Sequence, residues 1–146
     1  MSGLTRINLA RAIAQHYHFG QHYGANEDYF TYHIEGIVNQ LKIHNVADDY
    51  LIVAYLHDSI EDTSLTAETV RHLFGDIVAD AVLALTFKAF DENETPEQYI
   101  KRCSKNKIAR FVKMHDITFN ASNCLKNKNK KKYNEYMQKF SWLEAA

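Results

Sequence analysis

From Leu4 to about His18, the apolar residues Leu4, Ile7, Ala10, Ala14 and Tyr17 recur at three- and four-residue steps. That spacing predicts a helix with one buried face. Gly20 and Gly24 end it, and a short loop with Asn26, Glu27 and Asp28 follows. A second helix is predicted from Asp28 to about Ile43, with Ile34, Ile37, Val38 and Leu41 as its stripe and His33 near the stripe's edge. A third opens at Asp48 or Asp49, good capping residues. It runs through Leu51-Ile52-Val53-Ala54-Tyr55-Leu56, a stretch with no polar face, and so is expected to be buried all round. It ends in the polar pair His57-Asp58.

Ser59 to Ser64 reads as a polar bend. Thr66 caps a short helix that closes around Gly75. Ile77, Val78, Ala81, Val82 and Leu85 then give another apolar face, ending near Phe87. After an acidic loop, Thr95-Pro96-Glu97-Gln98 is a helix start. Ile108, Phe111, Val112 and Phe119 mark a long helix with Asp116 inside it, and Tyr133, Tyr136, Met137 and Phe140 mark a last one. The pattern predicts an all-α chain of about seven helices, one domain over residues 1–146. One proline and five glycines agree, because an all-β chain needs far more turn residues.

The formal net charge of −1 argues against a protein built to grip nucleic acid or an anionic membrane. The lysine-rich stretch Lys126–Lys132 then reads as a solvated loop. No apolar run approaches the ~20 residues of a membrane span, and the N-terminus lacks a signal peptide's apolar core. A cytoplasmic protein is expected. Cys103 and Cys124 form no C-x-x-C pair and read as free thiols. Eight histidines point towards metal or proton chemistry.

The densest chemistry follows the buried third helix. His57-Asp58-Ser59-Ile60-Glu61-Asp62-Thr63 holds four ionisable side chains. Three carboxylates this close repel one another unless a cation or a proton lies among them. A divalent metal explains the cluster more economically than a solvated turn does.

Leu56-His57-Asp58-Ser59-Ile60-Glu61-Asp62-Thr63 resembles the L-H-D-x-[VI]-E-D-T signature of the HD phosphohydrolase superfamily, in the branch that includes (p)ppGpp hydrolases. Tyr32-His33 resembles that branch's Y-x-x-H-P element, with Ile34 in place of the proline. Val112-Lys113-Met114-His115-Asp116 through Asn120 resembles its V-K-L-A-D-x-x-x-N element. Leu65-Thr66, Phe74-Gly75 and Leu85-Thr86 match further landmarks in order, so the resemblance covers roughly residues 10–140.

The resemblance implies an HD-type helical bundle with His33, His57, Asp58 and Asp116 as ligands of one divalent ion, Mn2+ being usual in that branch. It implies Glu61 and Asp62 as the catalytic pair, and Lys88, Lys113, Asn120 and Tyr133 as substrate-binding residues. His115, where the branch has alanine, reads as a surface histidine. The implied substrate is a phosphorylated nucleotide, (p)ppGpp or a relative, losing its 3′-diphosphate as pyrophosphate. One departure bears on that substrate: His22-Tyr23-Gly24 stands where alarmone hydrolases carry basic residues. Three alternatives stay open: another HD nucleotidase, a cyclic-nucleotide phosphodiesterase, and a module that binds a nucleotide without cleaving it. The sequence leaves the oligomeric state open.

Overall fold

The computed structural model describes residues 2–146. The chain runs through α1 (Gly3–Tyr17), a two-stranded antiparallel pair β1 (His22–Tyr23) and β2 (Glu27–Asp28), and a π-helical segment Tyr29–Ile34. It continues as α2 (Glu35–Ile43), α3 (Asp48–Leu56), the single turn α4 (Ser59–Asp62), α5 (Ala67–Phe74) and α6 (Asp76–Ala84). Three further helices complete it: α7 (Pro96–Ser104), α8 (Lys107–Lys126) and α9 (Lys130–Ala145). The all-α architecture agrees with the hydrophobic pattern.

Helix α3 is the centre. Ile52, Val53, Ala54, Tyr55 and Leu56 are all buried, as a helix without a polar face must be. Around it pack α1, α2, α6 and α8. Burying such side chains contributes about 1.5–3 kcal/mol each for the large aliphatic ones. The polar His57-Asp58 pair therefore leaves the hydrophobic core at a fixed place.

Helix ends follow the expected chemistry where capping residues exist. Thr66 Oγ1 accepts from Thr69 N at 3.2 Å, and Thr95 with Gln98 forms a reciprocal capping box ahead of Pro96. Gly75 turns the chain between α5 and α6 with φ of +90°, a conformation that strains any side chain.

Several local expectations are corrected. The loop around Asn26 is a tight hairpin that pairs His22 with Asp28 and Tyr23 with Glu27. The helix beginning after Asp28 opens as a π turn, its N-cap Asp28 accepting from Thr31 N at 2.9 Å. The bend at Ser59–Ser64 begins as a helical turn, α4, closed by Asp62 N donating to Asp58 O at 2.9 Å. Helix α6 stops at Ala84, not Phe87, and Lys88 takes a positive φ of +61°. Leu4 and Ile77, assigned to apolar faces, are exposed because each lies in the first turn of its helix, beyond the packed centre.

Candidate metal centre

Four side chains from three segments that are far apart in sequence converge at one end of α3. His33 comes from the π turn, His57 and Asp58 from the end of α3, and Asp116 from the middle of α8. Each offers one ligand atom, and these atoms lie within 4.8 Å of one another. His33 Nε2 is 3.0 Å from Asp116 Oδ1, and His57 Nε2 is 3.1 Å from Asp58 Oδ2 and 3.5 Å from Asp116 Oδ1.

Local structure explains the convergence. An α-helix puts adjacent side chains about 100° apart. Asp58 leaves that pattern at the break between α3 and α4, so it can face the same point as His57. The wider π turn re-aims His33 inward, the usual use of such turns at functional sites. Gly36, one turn later, admits the ring of Phe119 from α8, which meets the His33 ring edge-on at 5.0 Å between centroids.

The donor set fits a cation. The His57 Nδ1 lies 2.7 Å from the Ala54 carbonyl, so Nδ1 is the protonated nitrogen that donates there. A neutral His57 therefore turns the lone pair of Nε2 towards two carboxylate oxygens. That nitrogen is buried without a hydrogen-bond partner. Acceptors facing acceptors in a buried site need a cation or a proton between them. Burial alone would lower the His57 imidazole, but Asp58 and Asp116 outweigh it and hold the group well above its ordinary value. Burial opposes ionisation of Asp58 too, yet the charges of His57 and His33 hold its carboxyl at about 2. Two imidazoles and two carboxylates are a ligand set for a first-row divalent ion.

A supporting layer holds these four candidate ligands. Tyr29 donates its hydroxyl hydrogen bond to Asp58 Oδ2. Lys113 Nζ lies 3.0 Å from Asp116 Oδ2, and Asn120 Nδ2 donates to Asp116 Oδ1 at 3.3 Å. Tyr23 donates to Asn120 Oδ1 at 2.6 Å and stacks on His33, with centroids 5.1 Å apart and planes 15° apart. Asp116 is thus gripped from two sides, and the partly buried Lys113 offsets its charge.

Glu61 and Asp62 stand at the open rim. Phe87 N donates to Glu61 Oε1 at 2.7 Å, leaving Oε2 free. Burial raises the Glu61 carboxyl above its ordinary range, and the Asp58 charge adds to this. Asp62 is raised by the same two causes. A hydrogen-bonded chain reaches it from the core: the buried His18 Nδ1 lies 2.7 Å from Gln21 Oε1, and Gln21 Nε2 donates to Asp62 Oδ2 at 3.4 Å.

The remaining sequence-derived positions divide. Lys113 and Asn120 lie at the centre, against Asp116. Lys88 is exposed on the loop after α6, its Nζ over the Phe87 ring at 5.2 Å. Tyr133 lines a separate groove with Leu125, Lys128 and Lys130. Tyr136, one turn on, faces Tyr23 instead, across a groove of about 250 Å³ that Asn123, Asn127, Asn129 and Lys132 also line. His115 points away, packing on Phe111 and His44 with Nδ1 3.2 Å from Gln40 Oε1. Tyr23, Tyr29, Gln21 and Tyr136 carry no motif of their own. An aromatic at helical spacing and a tyrosine next to a glycine were the only signals available.

The structure of a metazoan SpoT ortholog that hydrolyses ppGpp superposes with a TM-score of 0.79, over 94% of this chain and 85% of that one, at 22% identity. The fold is HD-type. In sequence, the chain is 35% identical over 83 residues to the bifunctional (p)ppGpp synthase/hydrolase SpoT of Escherichia coli K12. It is 29% identical over 125 residues to a GTP pyrophosphokinase of Streptomyces coelicolor. These matches take in 54% and 82% of this chain but only 11% and 15% of the relatives' lengths. No family model matches. The resemblance is therefore to SpoT/RelA-type (p)ppGpp enzymes, along a short portion of each. Among the described residues, no helix is long and apolar enough to cross a membrane.

Proposed function

We propose that the chain is one HD-type domain, a divalent-metal phosphohydrolase that removes the 3′-diphosphate of (p)ppGpp, or of a close relative, as pyrophosphate. The observation that carries this reading is the convergence of His33, His57, Asp58 and Asp116 beside two carboxylates that are not drawn into the cluster. The similarity to SpoT of Escherichia coli supports the choice of substrate.

His33, His57, Asp58 and Asp116 would hold the ion, and Mn2+ is one that a mixed nitrogen and oxygen set accommodates. Such an ion supplies Lewis acidity to a phosphoryl oxygen and acidifies water. The chain's own residues do the rest. Glu61, through its free Oε2, accepts the proton of the attacking water, and burial, which raises its carboxyl, makes it a stronger base than an ordinary glutamate. Asp62 orients the same water, steadied by Gln21. Lys113 and Asn120 keep Asp116 aimed. Tyr23 and Tyr136 border the nucleoside side of the site, with Lys88 and Tyr133 further out. The water oxygen bonds to phosphorus as the bond from phosphorus to the 3′-oxygen breaks, the proton taken by Glu61 passes to that oxygen, and the products are pyrophosphate and the 5′-phosphorylated nucleoside. A cytoplasmic location suits such a substrate and the two free thiols.

Product analysis by anion-exchange chromatography tests this. Manganese-loaded protein is incubated with ppGpp, pppGpp, deoxynucleoside phosphates and cyclic nucleotides, beside Asp58→Ala. Pyrophosphate from ppGpp, absent with the variant, is expected. Cleavage of a different ester would keep the metal chemistry and replace the substrate, whereas saturable binding without any product would make the chain a binding module.

A further inference from the structure

Helix α9 lays one side chain per turn along the site's outer wall. Lys132, Tyr136 and Lys139 stand at i, i+4 and i+7, a spacing that puts them on one face. Lys132 and Tyr136 line the groove opposite Tyr23. Lys139 continues that line towards α7, against which α9 packs. Its Nζ sits over the Tyr136 ring, 5.1 Å from the centroid.

Lys139 is half-buried, yet among the described residues it forms no ion pair. The charges of Lys113, Asp116, Glu135 and Glu61 all act on it. The net burden on it is unfavourable: burial and the neighbouring Lys113 cation both disfavour its charge. A half-buried lysine whose ammonium rests on an aromatic face and makes no ion pair keeps its N–H donors free for an incoming anion.

We propose that Lys139 is a phosphate-binding residue of this site, contacting the reacting diphosphate from the α9 side. This rests on reading the centre as a phosphohydrolase. Lys113 is occupied by Asp116, so Lys139 is the cation free to meet incoming negative charge at that end. Lys132 serves the far end of the groove, which suits a ligand bearing phosphate at both ends.

The test is isothermal titration of the manganese-loaded protein with inorganic pyrophosphate at fixed free manganese. Wild type, Lys139→Met, Lys139→Arg and the exposed-face control Lys131→Met are compared. Lys139→Met should weaken binding about tenfold, the scale of one charge-assisted hydrogen bond. Lys139→Arg should stay within about threefold, because its charge is kept, and Lys131→Met should match wild type. Equal binding by Lys139→Met and wild type, or no saturable binding by wild type, overturns the proposal. Binding that depends on Lys139 in a protein that leaves ppGpp intact would keep this inference and remove the substrate; hydrolysis of ppGpp with KM unchanged in Lys139→Met would do the reverse.

Discussion

The Phe119 ring stands where a side chain on Gly36 would have to be: a Cβ built on Gly36 falls 2.7 Å from Phe119 Cε2. Phe119 cannot step aside cheaply, since Tyr23, Tyr32 and His33 all pack against it. Helix propensity alone would favour alanine at Gly36 by about 1 kcal/mol. The clash should win. Gly36→Ala is expected to lower the melting temperature and to weaken metal binding by displacing His33, both readable by calorimetry. A more stable protein with unchanged metal affinity would show that the ring does not fix the histidine.

Asp58 and Asp116 are unequal despite their shared role. Asp116 also pairs with Lys113, whose side chain is largely withdrawn from solvent. Asp116→Asn should lose the metal and destabilise the chelated protein by about 3–5 kcal/mol, the cost of stranding a buried charge. Asp58→Asn should lose the metal with a much smaller change. Urea unfolding of both variants in chelator measures the difference.

Tyr29→Phe removes the hydrogen bond to Asp58 while keeping the ring against His33. Partners of metal ligands typically matter 10–100-fold, so manganese affinity should fall by about tenfold with the fold intact. Metal titration with circular dichroism as a folding control decides it.

Glu94 clasps the loop that carries Phe87 and so steadies Glu61. Its Oε2 accepts from Arg102 Nε at 2.7 Å, and its Oε1 accepts from Lys88 N at 2.9 Å. The hydrogen bonds from Arg102 hold its carboxyl below the ordinary range. The stabilisation is therefore fully present above the unfolded-state value near 4.3 and is lost as pH falls through the lower folded value. Glu94→Gln should cost on the order of 2 kcal/mol at pH 7, and the gap should close in acid. A gap constant from pH 7 to 3 in denaturant titrations would contradict the assignment.

The fold was legible in the sequence where the hydrophobic period was strong. The run Leu51–Leu56 announced a buried helix, and it is one. His57 and Asp58 were legible from the local density of charge, but His33 and Asp116 only through resemblance, because they lie 83 positions apart and no local pattern joins them. Tyr23, with Tyr29 and Phe30, reads from sequence as aromatic surface for a base or as core; its stacking on His33 could not be read, because it depends on a hairpin whose Gly24 takes a φ of +66°. Tyr133 and Tyr136 could not be ranked by periodicity, since three residues rotate a helix by about 300° and leave both on neighbouring lines. Only the docking of α9 on α8 turns Tyr136 towards Tyr23.

The most direct test of the account is a manganese titration of chelated protein in the presence of ppGpp, following pyrophosphate release. Activity should be absent without metal, rise in proportion to added ion and saturate at one equivalent per chain, with Asp58→Ala inactive throughout. Turnover in chelator, or intact ppGpp with the site filled, would contradict it.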